Sequence, residues 1–168
     1  MKVRIYTDGA CSENPGPGGW ASIWVSDDDI KVKSGCNVNT TNNQMELMAV
    51  IVSLRRIRSH YGTLLAMVPE VQINEEYEIY SDSAYVVNSI NNNWIYKWRL
   101  NGWKTSKGDD VKNRQLWEEC MNLLSILKSH GVKLTFIKVK GHSGDTLNEY
   151  ADEVAKKEVL NARKAGML

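Results

Sequence analysis

The chain has 168 residues, of which 42% are hydrophobic and 24% are charged, and its formal net charge is +1. This is an ordinary composition for a soluble globular protein, and the length fits one domain spanning residues 1–168 with a substantial core. No apolar run reaches the length of a membrane span, and the N-terminus lacks the layout of a signal peptide, so we expect neither a membrane-spanning nor a secreted protein.

The three cysteines are Cys11, Cys36 and Cys120. Their number is odd and they form no CxxC pair, which argues against a disulfide framework or a zinc site and for a reducing compartment. We therefore expect core or near-core thiols in a cytoplasmic protein.

The first third of the chain predicts three β-strands. Residues 3–11, 20–25 and 30–36 are rich in β-forming side chains. A Pro- and Gly-rich turn at 14–19 and a polar turn at 26–29 separate them. Such short connections favour antiparallel pairing.

A helix is predicted to begin at Thr41, where Thr41 and Gln44 fit a capping box ahead of apolar residues at helical spacing. A strand at 77–80 and a helix at 81–90 follow. The segment at about 60–76 is a surface excursion of unassigned role, with a short hairpin or a helix extension as alternatives.

The last third predicts a helix, a strand and a final helix. The first helix begins at Asn113 and stops at Gly131, and the strand covers 132–139. The final helix begins near Asp145 or Thr146, with Thr146 and Glu149 as a possible capping box. Strands separated by helices imply parallel pairing, so we expect an α/β protein with a mixed five-stranded sheet flanked by helices.

Four acidic residues lie where carboxylates are costly to bury. Asp8 is on the first predicted strand and Asp82 comes at the end of the fourth, whereas Glu46 and Asp152 are near predicted helix starts. If they converge, they would suit a divalent metal, with Mg²⁺ favoured, and two such ions about 4 Å apart can act on a phosphate ester. Two alternatives stay open: each acid can be a solvated surface group, and Asp82 can cap the helix after it.

His142 follows the predicted fifth strand between Gly141 and Gly144. A histidine that titrates near neutral pH can move protons during hydrolysis. An ordinary exposed loop histidine is the alternative.

Six segments together resemble type 1 ribonuclease H. In chain order they are residues 6–11 (YTDGAC), 14–19 (NPGPGG), 41–47 (TNNQMEL), 81–86 (SDSAYV), 139–142 (VKGH) and 148–152 (NEYAD). Six such motifs in the family's order, over nearly the whole chain, make a specific match.

The resemblance implies a ribonuclease H-like sheet of order 3-2-1-4-5 with strand 2 antiparallel. It also implies endonucleolytic cleavage of the RNA strand of RNA–DNA hybrids, leaving 5′-phosphate and 3′-hydroxyl ends. Two Mg²⁺ ions would act with the substrate, with Mn²⁺ as the alternative metal, and Asp8 would bridge them. The implied metal ligands are Asp8, Glu46, Asp82 and Asp152, and His142 would assist proton transfer or product release.

The basic segment, residues 94–115, carries six basic and two acidic residues. Cations interleaved with tryptophans suit a nucleic-acid surface, although a core-packing role is the alternative for at least one tryptophan. The resemblance places the family's basic protrusion here and implies that it grips the DNA strand. The candidate substrate-binding residues are Trp98, Trp103 and Lys104, together with Asn14, Asn42 and Asn43, which match minor-groove positions of the family.

Two other functions compete with this one. Another nuclease or strand-transfer enzyme on the same fold is the first, and a non-catalytic hybrid-binding module is the second. We expect a monomer whose partner is an RNA–DNA hybrid, with no membrane association.

Overall fold

The structure is a computed structural model that describes residues 2–27, 29–140 and 145–167. Five strands are present in the described chain: β1 (Lys2–Cys11), β2 (Gly16–Ser26), β3 (Asp29–Thr40), β4 (Glu76–Ser81) and β5 (Lys133–Lys138). The helices are α1 (Asn42–His60), α2 (Gly62–Met67), α3 (Ala84–Asn91), α4 (Trp94–Leu100), α5 (Arg114–Ser129) and α6 (Thr146–Gly166). None of the helices in these ranges is long and apolar enough to span a membrane.

The strands form one mixed sheet in the order β3-β2-β1-β4-β5. Strand β2 is antiparallel to both β1 and β3, whereas β4 is parallel to both β1 and β5. The predicted fold class, strand order and direction of strand 2 are confirmed. This topology makes β1 and β4 neighbours that run in the same direction.

Alternating residues of the central strands bury opposite faces of the sheet. Val3 and Ile5 of β1 join the main core with α1. Tyr6 and Ile23 join a smaller cluster with Ala151 of α6. This period-2 alternation places α1 on one face of β1 and β2 and α6 on the other.

Gly9 allows α1 to approach β1 at backbone distance. A Cβ added at Gly9 would lie 2.3 Å from the Glu46 nitrogen and 2.4 Å from the Met45 carbonyl carbon. Only glycine avoids this clash, so Gly9 sets how closely the first turn of α1 lies against β1.

The predicted start of the first helix is confirmed. Thr41 is the N-cap of α1, its hydroxyl accepts from the Gln44 backbone N–H at 3.2 Å, and the Gln44 side chain accepts from the Thr41 backbone N–H. The predicted start of α6 near Asp145 or Thr146 is confirmed, but the Thr146–Glu149 capping box is wrong, because Asp145 is the N-cap and accepts from the Leu147 and Asn148 backbone N–H groups. Thr146 is therefore inside the helix.

Several boundaries differ from the prediction. Strand β2 begins at Gly16, inside the predicted turn, because Gly16 pairs with Thr40 of β3 across an irregular register. Strand β3 accordingly extends to Thr40. The 60–76 excursion contains the short helix α2, and Ile73 after it is buried with its N–H donating to the His130 carbonyl.

Strand β3 is one of the two outer strands of the described sheet, and most of its residues are exposed. Ile30, Val32 and Val38 are among the large exposed hydrophobic residues. Cys36 is exposed as well, so its prediction as a core or near-core thiol was wrong. Cys11 is half-buried and Cys120 is buried.

Replacing Gly9 with alanine is expected to lower the free energy of unfolding by about 3 kcal/mol, because a methyl group has no room against the α1 backbone. Chemical denaturation measures the loss. Gly62→Ala is the matched control, because nothing lies within 4 Å of an added Cβ there. Equal stability of the two variants would contradict the close-approach argument.

Candidate functional site

Three carboxylates come together at one end of the central strands. Asp8 lies on β1, Asp82 directly follows β4, and Glu46 lies on α1 one turn after its start. Each offers an oxygen, and the three oxygens lie within 4.8 Å of one another. Parallel pairing of β1 with β4 and the close approach at Gly9 account for this convergence.

Asp152 enters the same cleft from α6. The cleft has a volume of about 470 Å³, and its walls include all four acidic residues together with Asn42 and Asn43. Asp152 forms an ion pair with Lys156 one turn later in the helix, at 2.8 Å, and its negative charge reaches Asp8. The structure therefore brings together the four acidic side chains that the sequence singled out.

Burial opposes ionisation of two of these acids. It raises the pKa of Asp8 to about 8; a hydrogen bond with Glu46 lowers the pKa, and the charges of Asp82 and Asp152 raise it. Burial also raises the pKa of Glu46, and the charges of Asp8 and Asp82 raise it further. The two acids are therefore coupled, and burial is the largest cause of the raised pKa of each.

The cluster has the chemistry of a cation site. Glu46 is only 3% exposed, and its Oε2 atom is buried without a hydrogen-bond partner in the described part of the chain. A buried carboxylate oxygen in this state is costly unless it acquires a positive partner. Hard divalent cations prefer such oxygen ligands, so the residues fit a divalent metal.

Asp82 does not cap the helix that follows it. Ser83 is the N-cap of α3, and its hydroxyl accepts from the Val86 N–H at 3.2 Å. The Ser83 N–H in turn donates to the Ser81 hydroxyl at 3.1 Å. The capping alternative for Asp82 is therefore wrong, and its carboxylate is left to the cluster.

The three asparagines lie at the rim of the cleft. Asn42 and Asn43 occupy the first turn of α1, where both are exposed and line the cleft. Asn14 is exposed on the β1–β2 connection, and its side-chain oxygen accepts from the Asn42 N–H at 2.8 Å. This contact fixes the two chain segments against each other.

Tyr85, which had no predicted role of its own, connects the cleft to the basic segment. It lines the cleft on α3, and its hydroxyl oxygen accepts from the Asn113 side-chain amide at 3.1 Å and from Trp117 Nε1 at 2.8 Å. Asn113 also accepts from Gln44 Nε2 at 3.2 Å. One polar network thus links the starts of α1, α3 and α5.

The basic segment is an exposed helix, α4, followed by a closed loop. Its lysines and arginines are exposed. A bridge and an ion pair between Lys104 and Asp110 close the loop, and the Val111 N–H donates to the Trp103 carbonyl at 3.0 Å.

The tryptophans of the basic segment have different environments. Trp103 is 6% exposed within the main core, with the Arg114 guanidinium over its ring at 5.5 Å. For Trp103, a predicted substrate-binding residue, this burial supports the core-packing alternative. Trp98 is half-buried against Trp117, whereas Trp94 is 39% exposed.

His142 lies outside the described residues, so its position relative to the carboxylates stays a prediction.

The Tyr85 network was not assigned a function from the sequence. The local pattern identified Gln44 in a capping box and Asn113 at a helix start, but it contained no sign of the contacts that join them to Tyr85 across long sequence separations.

The amino-acid sequence of this chain matches a known protein family and several of its members. The RNase H family model matches residues 1–160. The chain belongs to the RNase H family. It is 48% identical over 162 residues to a protein named ribonuclease H from Caldicellulosiruptor saccharolyticus, covering 96% of this chain and 99% of that protein. A ribonuclease H from Acetivibrio thermocellus is 44% identical over 163 residues, covering 97% and 98% of the two chains.

Solved RNase H structures share the fold. LC9-RNase H1, described as a type 1 RNase H with the type 2 active-site motif, superposes with a TM-score of 0.70 at 28% identity, over 96% of this chain and 73% of that chain. LC11-RNase H1 in complex with RNA/DNA hybrid superposes with a TM-score of 0.64 at 22% identity, over 95% and 98%. The second likeness shows the fold alone.

Asp8→Asn is expected to stabilise the metal-free protein. The folded-state pKa of Asp8 is raised, so its contribution to stability is present below its unfolded pKa of about 4 and is lost as pH rises towards 8. The advantage of the variant should therefore grow over that range, to on the order of 1–3 kcal/mol, because the repulsion is shared among coupled acids.

Thermal unfolding in EDTA at several pH values measures this effect. Asp27→Asn, at an exposed turn residue, is the control and should show no such trend. A variant less stable than the parent at pH 8 would contradict the repulsion.

Tyr85→Phe is expected to cost about 1–3 kcal/mol, because two donors lose their acceptor and the Trp117 side chain is fully buried. Denaturation measures the cost, and faster hydrogen exchange of the Trp117 indole N–H locates it. Tyr150→Phe, on an exposed tyrosine, is the control. Unchanged exchange at Trp117 would remove Tyr85 from the network.

Proposed function

We propose that this protein is an endoribonuclease that hydrolyses the RNA strand of RNA–DNA hybrids, leaving 5′-phosphate and 3′-hydroxyl ends. The observation that carries the proposal is the cluster of Asp8, Glu46 and Asp82, whose oxygens lie within 4.8 Å in a cleft, in a chain of the RNase H family. Buried carboxylates of like charge favour a bound cation, and a bound divalent cation can act on a phosphate ester. The cluster therefore suits phosphate ester hydrolysis better than acid–base chemistry alone.

The proposed cofactor is Mg²⁺, as two ions with substrate, and Mn²⁺ can replace it. Asp8, Glu46, Asp82 and Asp152 would hold the ions, with Asp8 shared between them. Bound in pairs, such ions stabilise the charge that develops on the attacking and leaving oxygens. The orphaned Oε2 of Glu46 is the feature of this chain that a cation would satisfy.

The side chains of the protein would position the site and transfer protons. Asp8 and Glu46 are buried, and strand β1 and helix α1 hold them in fixed positions at the cleft. His142 would take up or release a proton as the RNA strand is cut, a role suited to an imidazole near neutral pH.

Recognition of the hybrid would use two surfaces. Asn14, Asn42 and Asn43 at the rim would contact the minor groove, where 2′-hydroxyl groups distinguish RNA from DNA. Lys104 and Trp98 of the basic segment would hold the DNA strand, with its exposed lysines and arginines facing phosphates. We further propose that residues 1–168 act as a single catalytic domain, as a monomer in the cytoplasm.

A cleavage panel tests the proposed function. Labelled RNA–DNA hybrid, duplex DNA and duplex RNA are incubated with Mg²⁺, with Mn²⁺ and with EDTA. We expect cutting of the RNA strand of the hybrid alone, and none in EDTA. Asp8→Asn should reduce the rate by about a thousandfold or more while hybrid binding survives, since it removes a ligand and not a contact surface. Equal cutting of all duplexes would contradict the proposal.

Combined Lys97→Ala and Lys104→Ala substitutions are expected to weaken hybrid binding about tenfold at low salt. They should also reduce the slope of log affinity against log salt by between one and two, because fewer counterions are released. Lys157→Ala with Lys164→Ala, both exposed on α6, is the matched control. A salt slope equal to that of the parent would show that these two lysines do not contact phosphates.

A further inference from the structure

A second cleft lies at the opposite end of α1 from the carboxylates. Its volume is about 770 Å³, and the side chains that matter to its chemistry are Trp20, Lys33, Val52, Arg55, Arg56 and His60. Arg56 is ten residues beyond Glu46 on the same helix, so the two are about 15 Å apart along its axis. No residue of this cleft belongs to the carboxylate site.

Arg56 brings an uncompensated charge to this cleft. The residue is half-buried, and its guanidinium lies over the Trp24 ring at 5.2 Å. Across residues 2–27, 29–140 and 145–167 it forms no ion pair, and its Nη1 atom is buried with no hydrogen-bond partner. The aromatic face stabilises the cation only in part, so an anion at the exposed side of the guanidinium is favoured.

Lys33 adds a second cation to the cleft from the neighbouring strand. It pairs across β2–β3 with Ser22, whose hydroxyl meets that of Ser53 on α1 at 2.7 Å. Cross-strand partners share a face, so Lys33 projects on the α1 side of the sheet, where it is exposed. Arg55 already donates from Nε and Nη2 to the two carboxylate oxygens of Glu119, so its charge is largely neutralised and it serves mainly as part of the cleft wall.

The walls of the cleft suit a compact anion. His60 completes the basic lining at the C-terminal end of α1, and no acidic residue of the described chain lines the cleft. Trp20 forms one wall, with its ring packed over Gly35 of β3. A fixed guanidinium and a mobile ammonium beside an aromatic wall match a group that carries several charged acceptor oxygens.

We propose that the cleft formed by Lys33, Arg56 and His60 binds a phosphate group. The group belongs either to a small phosphorylated molecule or to the backbone of a nucleic acid that extends past the carboxylate cleft. This site is separate from the proposed catalytic function and does not depend on it.

Titration of the full chain with inorganic phosphate, against chloride at equal ionic strength, tests the proposal. Nitrogen–proton NMR spectra follow the indole signals of Trp20 and Trp24. We expect saturable shifts at these signals, and a loss of affinity of about tenfold or more in Arg56→Gln and in Lys33→Gln, because each removes a charged donor. Lys164→Gln, on an exposed residue of α6, should bind phosphate like the parent.

Lys33→Gln keeps the test decisive, because Lys33 is exposed, whereas Arg56 is half-buried and also contacts Trp24. Absence of saturable shifts would overturn the proposal, as would unchanged affinity in Lys33→Gln. Shifts caused by a glutamate-rich peptide and not by phosphate would overturn it in favour of a protein partner.

Two further arms identify the source of the phosphate. A 5′-mononucleotide and a long hybrid are titrated in EDTA, and whichever loses affinity in both variants is the supported source. Cleavage of a short hybrid with Mg²⁺ should be unchanged in both variants. Failure of the nuclease proposal would appear in that assay for the parent protein, and failure of the phosphate site would not.

Discussion

The structure depends on holding several carboxylates closer together than their charges favour. Asp8 and Glu46 are each 3% exposed, and burial together with Asp82 raises the pKa of both. Folding has to supply the free energy for this arrangement from elsewhere, chiefly the apolar core on the α1 face of the sheet. The cluster is consequently a site whose preferred state includes a cation, and the protein is expected to gain stability when one binds.

Backbone geometry, more than side-chain contact, produces this proximity. Gly9 has no Cβ atom, and a Cβ at this position would hold the first turn of α1 away from β1. The parallel pairing of β1 with β4 then delivers Asp82 to the same end of the sheet as Asp8. Polar contacts outside the cluster fix the surroundings, because Tyr85 accepts from both Asn113 and Trp117. A displacement of the basic segment would therefore move Tyr85, which lines the cleft.

Much of this arrangement could be predicted from the sequence. Local patterns with a physical mechanism were reliable: the Thr41–Gln44 capping box, the alternation of β1, and the order of strands and helices that requires a mixed sheet. The four acidic positions could be selected because a carboxylate on an apolar strand or near a buried helix start is unusual. The six family motifs then assigned these four acidic residues as a set of metal ligands.

Other features depend on tertiary contacts that no local pattern contains. The burial of Trp103 follows from the packing of the closed loop, and the pairing of Gly16 with Thr40 extends β2 into a segment that looks like a turn. Asp145 and Thr146 both have capping side chains, and the local pattern alone does not select Asp145 as the cap. The uncompensated charge of Arg56 is visible only once the neighbours of α1 are known.

The exposed outer strand has a consequence for the behaviour of the protein at high concentration. An unpaired strand edge is a template for adding a strand from another molecule, and the exposed Ile30 and Val32 would favour such an addition. Lys31 and Lys33 alternate with these residues on β3. Antiparallel pairing of two copies through this edge would bring four ammonium groups close together, so the strand that leaves the sheet open also carries the charges that oppose its aggregation.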